Sequence, residues 1–146
     1  MSFKIENSIP HQLHLLHRLK RQLADREMKK LGLTRSQWQT LGWLAALGND
    51  CTQQELLKAT EFDRAQLARL LDAFEKQNII QRKEMPEDRR LLVITLTNKG
   101  NALLEKVKNA IQFEAEVMLR NFTTQEKKTL DKFFNQLAEN ITKELK

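Results

Sequence analysis

Among the places where a threonine or aspartate stands three residues ahead of a glutamine or glutamate, four mark candidate helix starts: Thr34 with Gln37, Thr52 with Glu55, Asp63 with Gln66, and Thr123 with Glu126. Each pair can close a capping box, in which the first side chain accepts an orphan amide of a helix start and the second reaches back to the cap's own N–H. Four helix starts are thereby marked before any apolar pattern is consulted. Ser8 followed by Pro10 marks a fifth, because proline is tolerated in a first turn, and Thr97 a sixth.

The apolar spacing agrees with those starts. Leu13, Leu16, Leu19 and Leu23 stripe the first helix; Trp38, Leu41, Leu44 and Ala45 the second; Leu67, Leu70, Leu71 and Phe74 the fourth. Two longer stripes follow, one from Leu103 to Met118 and one through Leu130, Phe133, Phe134, Leu137, Ile141 and Leu145. One segment departs from this rhythm: residues 79–85 and 91–96 are rich in apolar and β-branched side chains and flank the polar stretch Pro86 to Arg90. The spacing predicts helices over 8–30, 34–47, 52–59, 63–77, 98–120 and 123–145, with a β-hairpin at 79–96. This is a mainly α fold with a small β-hairpin wing. The short third helix, the turn at 61–63, the fourth helix and the hairpin form a winged helix-turn-helix lobe over 34–97.

Composition narrows the function. Twenty-five Lys and Arg against nineteen Asp and Glu give a net charge of +6, spread as +3 over 1–62, +2 over 63–100 and +1 over 101–146. That bulk charge favours a polyanion only weakly, so placement must decide. The single Cys51 permits neither an internal disulfide nor a thiolate cluster, and four glycines leave little room for phosphate-cradling loops. No apolar run approaches the ~18 to 20 residues of a membrane helix, and the N-terminal stretch lacks the apolar block of a secretory signal. The expectation is a cytoplasmic protein without membrane association. Three histidines clustered at one end assemble no nucleophile–base pair or metal triad, so neither an enzyme nor a bound cofactor is expected.

On the fourth helix Ala65, Arg69, Asp72 and Lys76 fall opposite the apolar stripe, with Gln66 and Ala68 on its flanks. Arginine suits bidentate contact with guanine and glutamine with adenine, while the small Ala65 allows close approach to a major groove. The competing reading makes Arg69 and Lys76 solvated partners of Asp72 and Glu75. At the hairpin tip Arg89 and Arg90 are placed for an adjacent minor groove, with Asp88 able to brace one guanidinium. A purely structural ion pair is the alternative there.

Asp88-Arg89-Arg90 followed by Leu96-Thr97 and Gly100 resembles the wing signature D-x-R … L-T-x-x-G of the MarR/SlyA regulators. The stretches LTRSQWQTLGWLAAL, TQQELLKAT and DRAQLARLLDAFEKQNIIQRK are similar to that family's second to fourth helices, so the resemblance spans about residues 8–145. It implies a six-helix winged helix-turn-helix fold, an obligate homodimer through the helices at 8–30 and 98–145, and a transcriptional regulator, expected to be a repressor, on a pseudo-palindromic double-stranded DNA operator. By position it implies groove contacts for Ala65, Gln66 and Arg69, with Lys76 on the same face. It also implies a minor-groove role for Arg90, a brace in Asp88 and a phosphate contact for Arg89. Two departures stand out: Asn78 where the family often has glycine, and Ala65-Gln66 where it commonly has Ser, Thr or Pro.

The resemblance also implies release by a small aromatic or phenolic anion. His14, Arg18 and Arg21 could form a cationic wall over Trp38 or Trp43, against the reading of a solvated helix face and core tryptophans. His11, His14 and His17 drift by about 60° per step of three, so they do not converge on a metal, and none is expected. Cys51 does not match the position of the family's peroxide-reactive cysteine, and a buried structural thiol is the commoner state. A winged-helix module that binds protein without specific DNA readout is the alternative function.

Overall fold

The computed structural model describes residues 8–48 and 50–146. The elements run α1 (Ile9–Lys30), α2 (Arg35–Leu47), β1 (Cys51–Thr52), α3 (Gln53–Ala59), α4 (Arg64–Lys76), β2 (Ile80–Glu84), β3 (Leu92–Leu96), α5 (Asn98–Met118) and α6 (Thr124–Glu144). They fall into two compact units, Met1–Gln112 and Phe113–Lys146. The six helices and the hairpin stand where the caps and stripes place them.

Thr34, Thr52 and Thr123 each close a reciprocal box with Gln37, Glu55 and Glu126. Asp63 instead caps α4 in one direction only, accepting the Gln66 amide at 2.7 Å. Ser8 accepts the His11 amide at 3.3 Å, with Pro10 in the first turn of α1. The α4 helix ends at Asn78, whose φ of 59° is left-handed, and the Ile79 amide closes back on the Phe74 carbonyl at 2.9 Å. Asparagine therefore performs the turn that glycine performs in a Schellman ending.

In the first unit Met28, Leu41, Leu56, Leu67, Leu71, Phe74, Ile80, Ile94 and Val107 form a fully buried centre. The sheet order is β1-β3-β2, antiparallel throughout, with Cys51 opposite Ile94 and Ile80 opposite Leu96. The sequence reading has only the hairpin. β1 escapes it because two residues carry no alternation and Thr52 already serves as a helix cap. Thr97 welds hairpin to helix: its N–H donates to the Ile79 carbonyl at 3.1 Å and its hydroxyl accepts the Gly100 amide at 3.0 Å. A side chain at Gly100 would place its Cβ 2.0 Å from the Ile79 carbonyl oxygen, so this close approach demands glycine.

The stripe on α1 is real but mostly uncovered. Within this helix only Ala24 and Met28 are buried, while Leu16 and Leu19 stay exposed. In the second unit α6 buries no residue, and Phe133, Phe134, Ile141 and Leu145 stand exposed. Among the described residues no helix is long and apolar enough to cross a membrane.

Candidate nucleic-acid interface

The turn between α3 and α4 is set by its caps. Thr60 ends α3 by donating its N–H to the Leu56 carbonyl at 3.1 Å, and Asp63 opens α4 three residues later. Leu67, Leu71 and Phe74 anchor α4 in the core, which fixes its outward face: Ala65, Arg69, Asp72 and Lys76 are exposed, Gln66 and Ala68 half-buried. Arg64, exposed in the first turn, adds a cation that the wheel argument overlooked.

Among the described residues neither Arg69 nor Lys76 makes an ion pair, so the reading that assigned them to Asp72 and Glu75 fails. Both carboxylates are held by Arg82 of β2. Arg82 occupies the same face of β2 as buried Ile80, and its side chain is 19% exposed. Period-two alternation could have flagged it, as a lone cation on an otherwise inward face.

The hairpin tip is an ordered loop. The Met85 amide donates to the Leu91 carbonyl at 2.9 Å and the Leu91 amide to the Asp88 carbonyl at 3.0 Å, which closes residues 85–91. Asp88 accepts both the backbone N–H and the Nε–H of Arg90, at 3.0 and 3.1 Å. Hydrogen bonding from Arg90 holds the Asp88 carboxyl below its usual range. Arg90 nonetheless remains 90% exposed, and Arg89 is exposed beside it. The brace thus orients the cation while leaving it in solvent.

Wing and helix-turn-helix share a cleft of about 330 Å³, lined by Gln54 of α3, Arg64 and Ala68 of α4, and Arg90 and Leu92 of the hairpin. Two guanidiniums thus border one opening beside the N-terminus of α4, where the helix dipole also favours an anion. A second cleft of about 450 Å³ is lined by His17 and Arg21 of α1, Gln39 and Trp43 of α2, and Thr60 and Phe62 of the turn. Of the expected ligand wall it contains Arg21 and Trp43 but not His14, Arg18 or Trp38. His14 lies nearly a turn beyond His17, Arg18 is rotated about 100° from it, and Trp38 falls about 140° from Trp43 and packs on the core. The histidine that lines this cleft is His17.

Among the described residues no group of three or more His, Cys, Asp or Glu could hold a metal ion, and His11, His14 and His17 are all exposed. Cys51 is buried in β1, and that burial, followed by the nearby Glu55, pushes its thiol above the usual range. A thiolate is disfavoured there.

Solved structures share this fold. A probable transcriptional regulator from Pseudomonas aeruginosa is 28% identical, with TM-score 0.70 over 92% of this chain and 99% of that one. A cysteine-to-serine mutant of MarR from E. coli, complexed with operator DNA, is 25% identical with TM-score 0.71 over 92% and 98%. A mutant of MepR from S. aureus is 21% identical and reaches TM-score 0.81 over 92% and 98%. Residues 31–91, the span from the end of α1 through the wing tip, match the MarR family. Helix-turn-helix, wing and flanking helices are thus matched by one set of solved structures, and the chain has the winged helix-turn-helix fold, with its central segment 31–91 similar to the MarR family.

Proposed function

We propose that this chain is a DNA-binding transcriptional repressor that acts as a homodimer on a pseudo-palindromic operator. The observation that carries the reading is the unpaired cationic face of α4 beside a wing arginine braced yet 90% exposed. In this reading Ala65, Gln66 and Arg69 meet base edges in a major groove. Lys76 and Arg89 take phosphates, and Arg90, held extended by Asp88, enters the neighbouring minor groove. Arg64 joins the phosphate contacts at the helix start. The operator-bound MarR structure supports the same use of the fold.

Dimerisation is supported by apolar faces that each unit leaves open, Leu16 and Leu19 in one and Phe133, Phe134 and Ile141 in the other. A two-fold dimer places two recognition helices about one turn of DNA apart. Release by a small aromatic anion belongs to the cleft of His17, Arg21 and Trp43, where a cation and an indole line one opening.

The test is selection of duplexes from a random pool by the purified protein, followed by titration of the winning sequence. The reading expects an inverted repeat. It also expects Arg69→Ala to flatten base preference and Arg90→Ala to weaken binding to all duplexes alike. Recovery of no sequence, with both variants indistinguishable from wild type, defeats it and favours a module that binds protein.

A further inference from the structure

Asp72 and Glu75 sit in the second half of α4, where the negative end of the helix dipole disfavours carboxylates and where like charges three residues apart repel. Asp72 also stands three residues after Arg69 and four before Lys76, the spacings at which oppositely charged side chains pair on a helix surface. Left to α4 alone, the acids would engage the two cations of its outward face. They do not: Arg82, reaching from β2, donates its Nε–H to Glu75 and a terminal N–H to Asp72. Its partly buried position holds the fork in place, whereas the two carboxylates lie nearer solvent.

We infer that Arg82 is a positioning residue for DNA recognition. By occupying Asp72 and Glu75 it keeps Arg69 and Lys76 free to meet a polyanion, and it cancels two negative charges that would otherwise face phosphates. This rests on the DNA-binding reading above. It adds a residue away from the wing tip and outside the recognition helix to the determinants of affinity. The planar, two-armed guanidinium matters, because a lysine in its place meets one carboxylate at a time.

The experiment uses the full chain and the duplex that wild type selects from the random pool. Arg82→Gln is expected to weaken binding at least about ten-fold, since uncovered carboxylates both sequester Arg69 and oppose the phosphates. Adding Asp72→Asn and Glu75→Gln to that variant is expected to restore binding to within about three-fold of wild type, an outcome that a merely structural role for Arg82 does not produce. Urea unfolding followed by circular dichroism accompanies each titration. If Arg82→Gln does not fold, Arg82→Lys carries the same comparison, with a smaller loss and the same recovery. Binding unchanged in the folded Arg82 variant, or a triple variant no better than the single one, overturns the inference while the DNA reading stands. Failure of wild type itself to bind any duplex overturns both.

Discussion

Arg90 is 90% exposed and still has a fixed direction, because one carboxylate accepts both its main-chain and side-chain N–H groups. An exposed pair of this kind contributes little to stability, so its value lies in pre-organising the cation. Arg90→Ala is expected to lower the slope of log affinity against log salt by about 1.8, the increment for the two phosphate-equivalent contacts that a dimer loses. Asp88→Asn keeps the geometry but loses charge, and is expected to fall between wild type and Arg90→Ala in the same titration. The Asp88 carboxyl is held low in the folded chain. The brace is therefore fully present at and above the ordinary carboxylate range and is lost only as pH falls through the depressed value. An NMR titration of the Arg90 Nε–H should show it unchanged near neutrality and shifting only in acid. A shift centred in the neutral range contradicts the assignment. The brace is legible in the sequence because Asp88 and Arg90 stand two residues apart. Arg82 is not, since its partners lie seven and ten residues back on another element and only packing brings them together.

At the level of elements, the caps carried most of the fold. Five of the six marked starts are helix caps that rest on a hydroxyl, and the aspartate one works without its reciprocal partner. Boundaries differ from expectation by a residue or two, where helices end in turns that no cap residue announces. The junction of β2, β3 and α5 makes a sharper demand. A methyl group at Gly100 meets the Ile79 carbonyl at 2.0 Å, and backbone cannot yield cheaply. Gly100→Ala is expected to destabilise the protein by about 2 kcal/mol or more, in the range of overpacked sites, measured as a drop in the urea midpoint. Ala102→Gly, on the exposed side of the same helix, is expected to lose about 1 kcal/mol from helix propensity alone. Equal losses at the two positions would refute the close-approach account. The cleft between α1 and α2 shows the opposite limit of sequence reading. Of the residues the sequence suggests for one wall, Arg21 and Trp43 line a common cleft, but which turn of α1 faces α2 is fixed by packing, which brings in His17 and leaves His14, Arg18 and Trp38 out.

Across the whole molecule, each unit keeps large apolar side chains in solvent, including Leu16, Leu19, Phe133, Phe134 and Ile141. A homodimer that covers them predicts that Phe133→Glu combined with Ile141→Glu yields monomers in sedimentation and weakens operator binding by far more than either wing variant. A monodisperse dimer with full affinity contradicts that role for α6. The net charge of +6 is weak support for nucleic acid when taken alone. In the proposed reading its weight comes from the cations exposed on α4 and at the wing tip, a set that a two-fold dimer would double. The most direct test of this account is the salt dependence of wild-type binding to its selected duplex. A dimer neutralising about ten phosphates should lose about three to five orders of magnitude in affinity between 50 and 200 mM salt. A flat response, or no measurable affinity at the lower salt, would contradict the assignment of α4 and the wing to DNA.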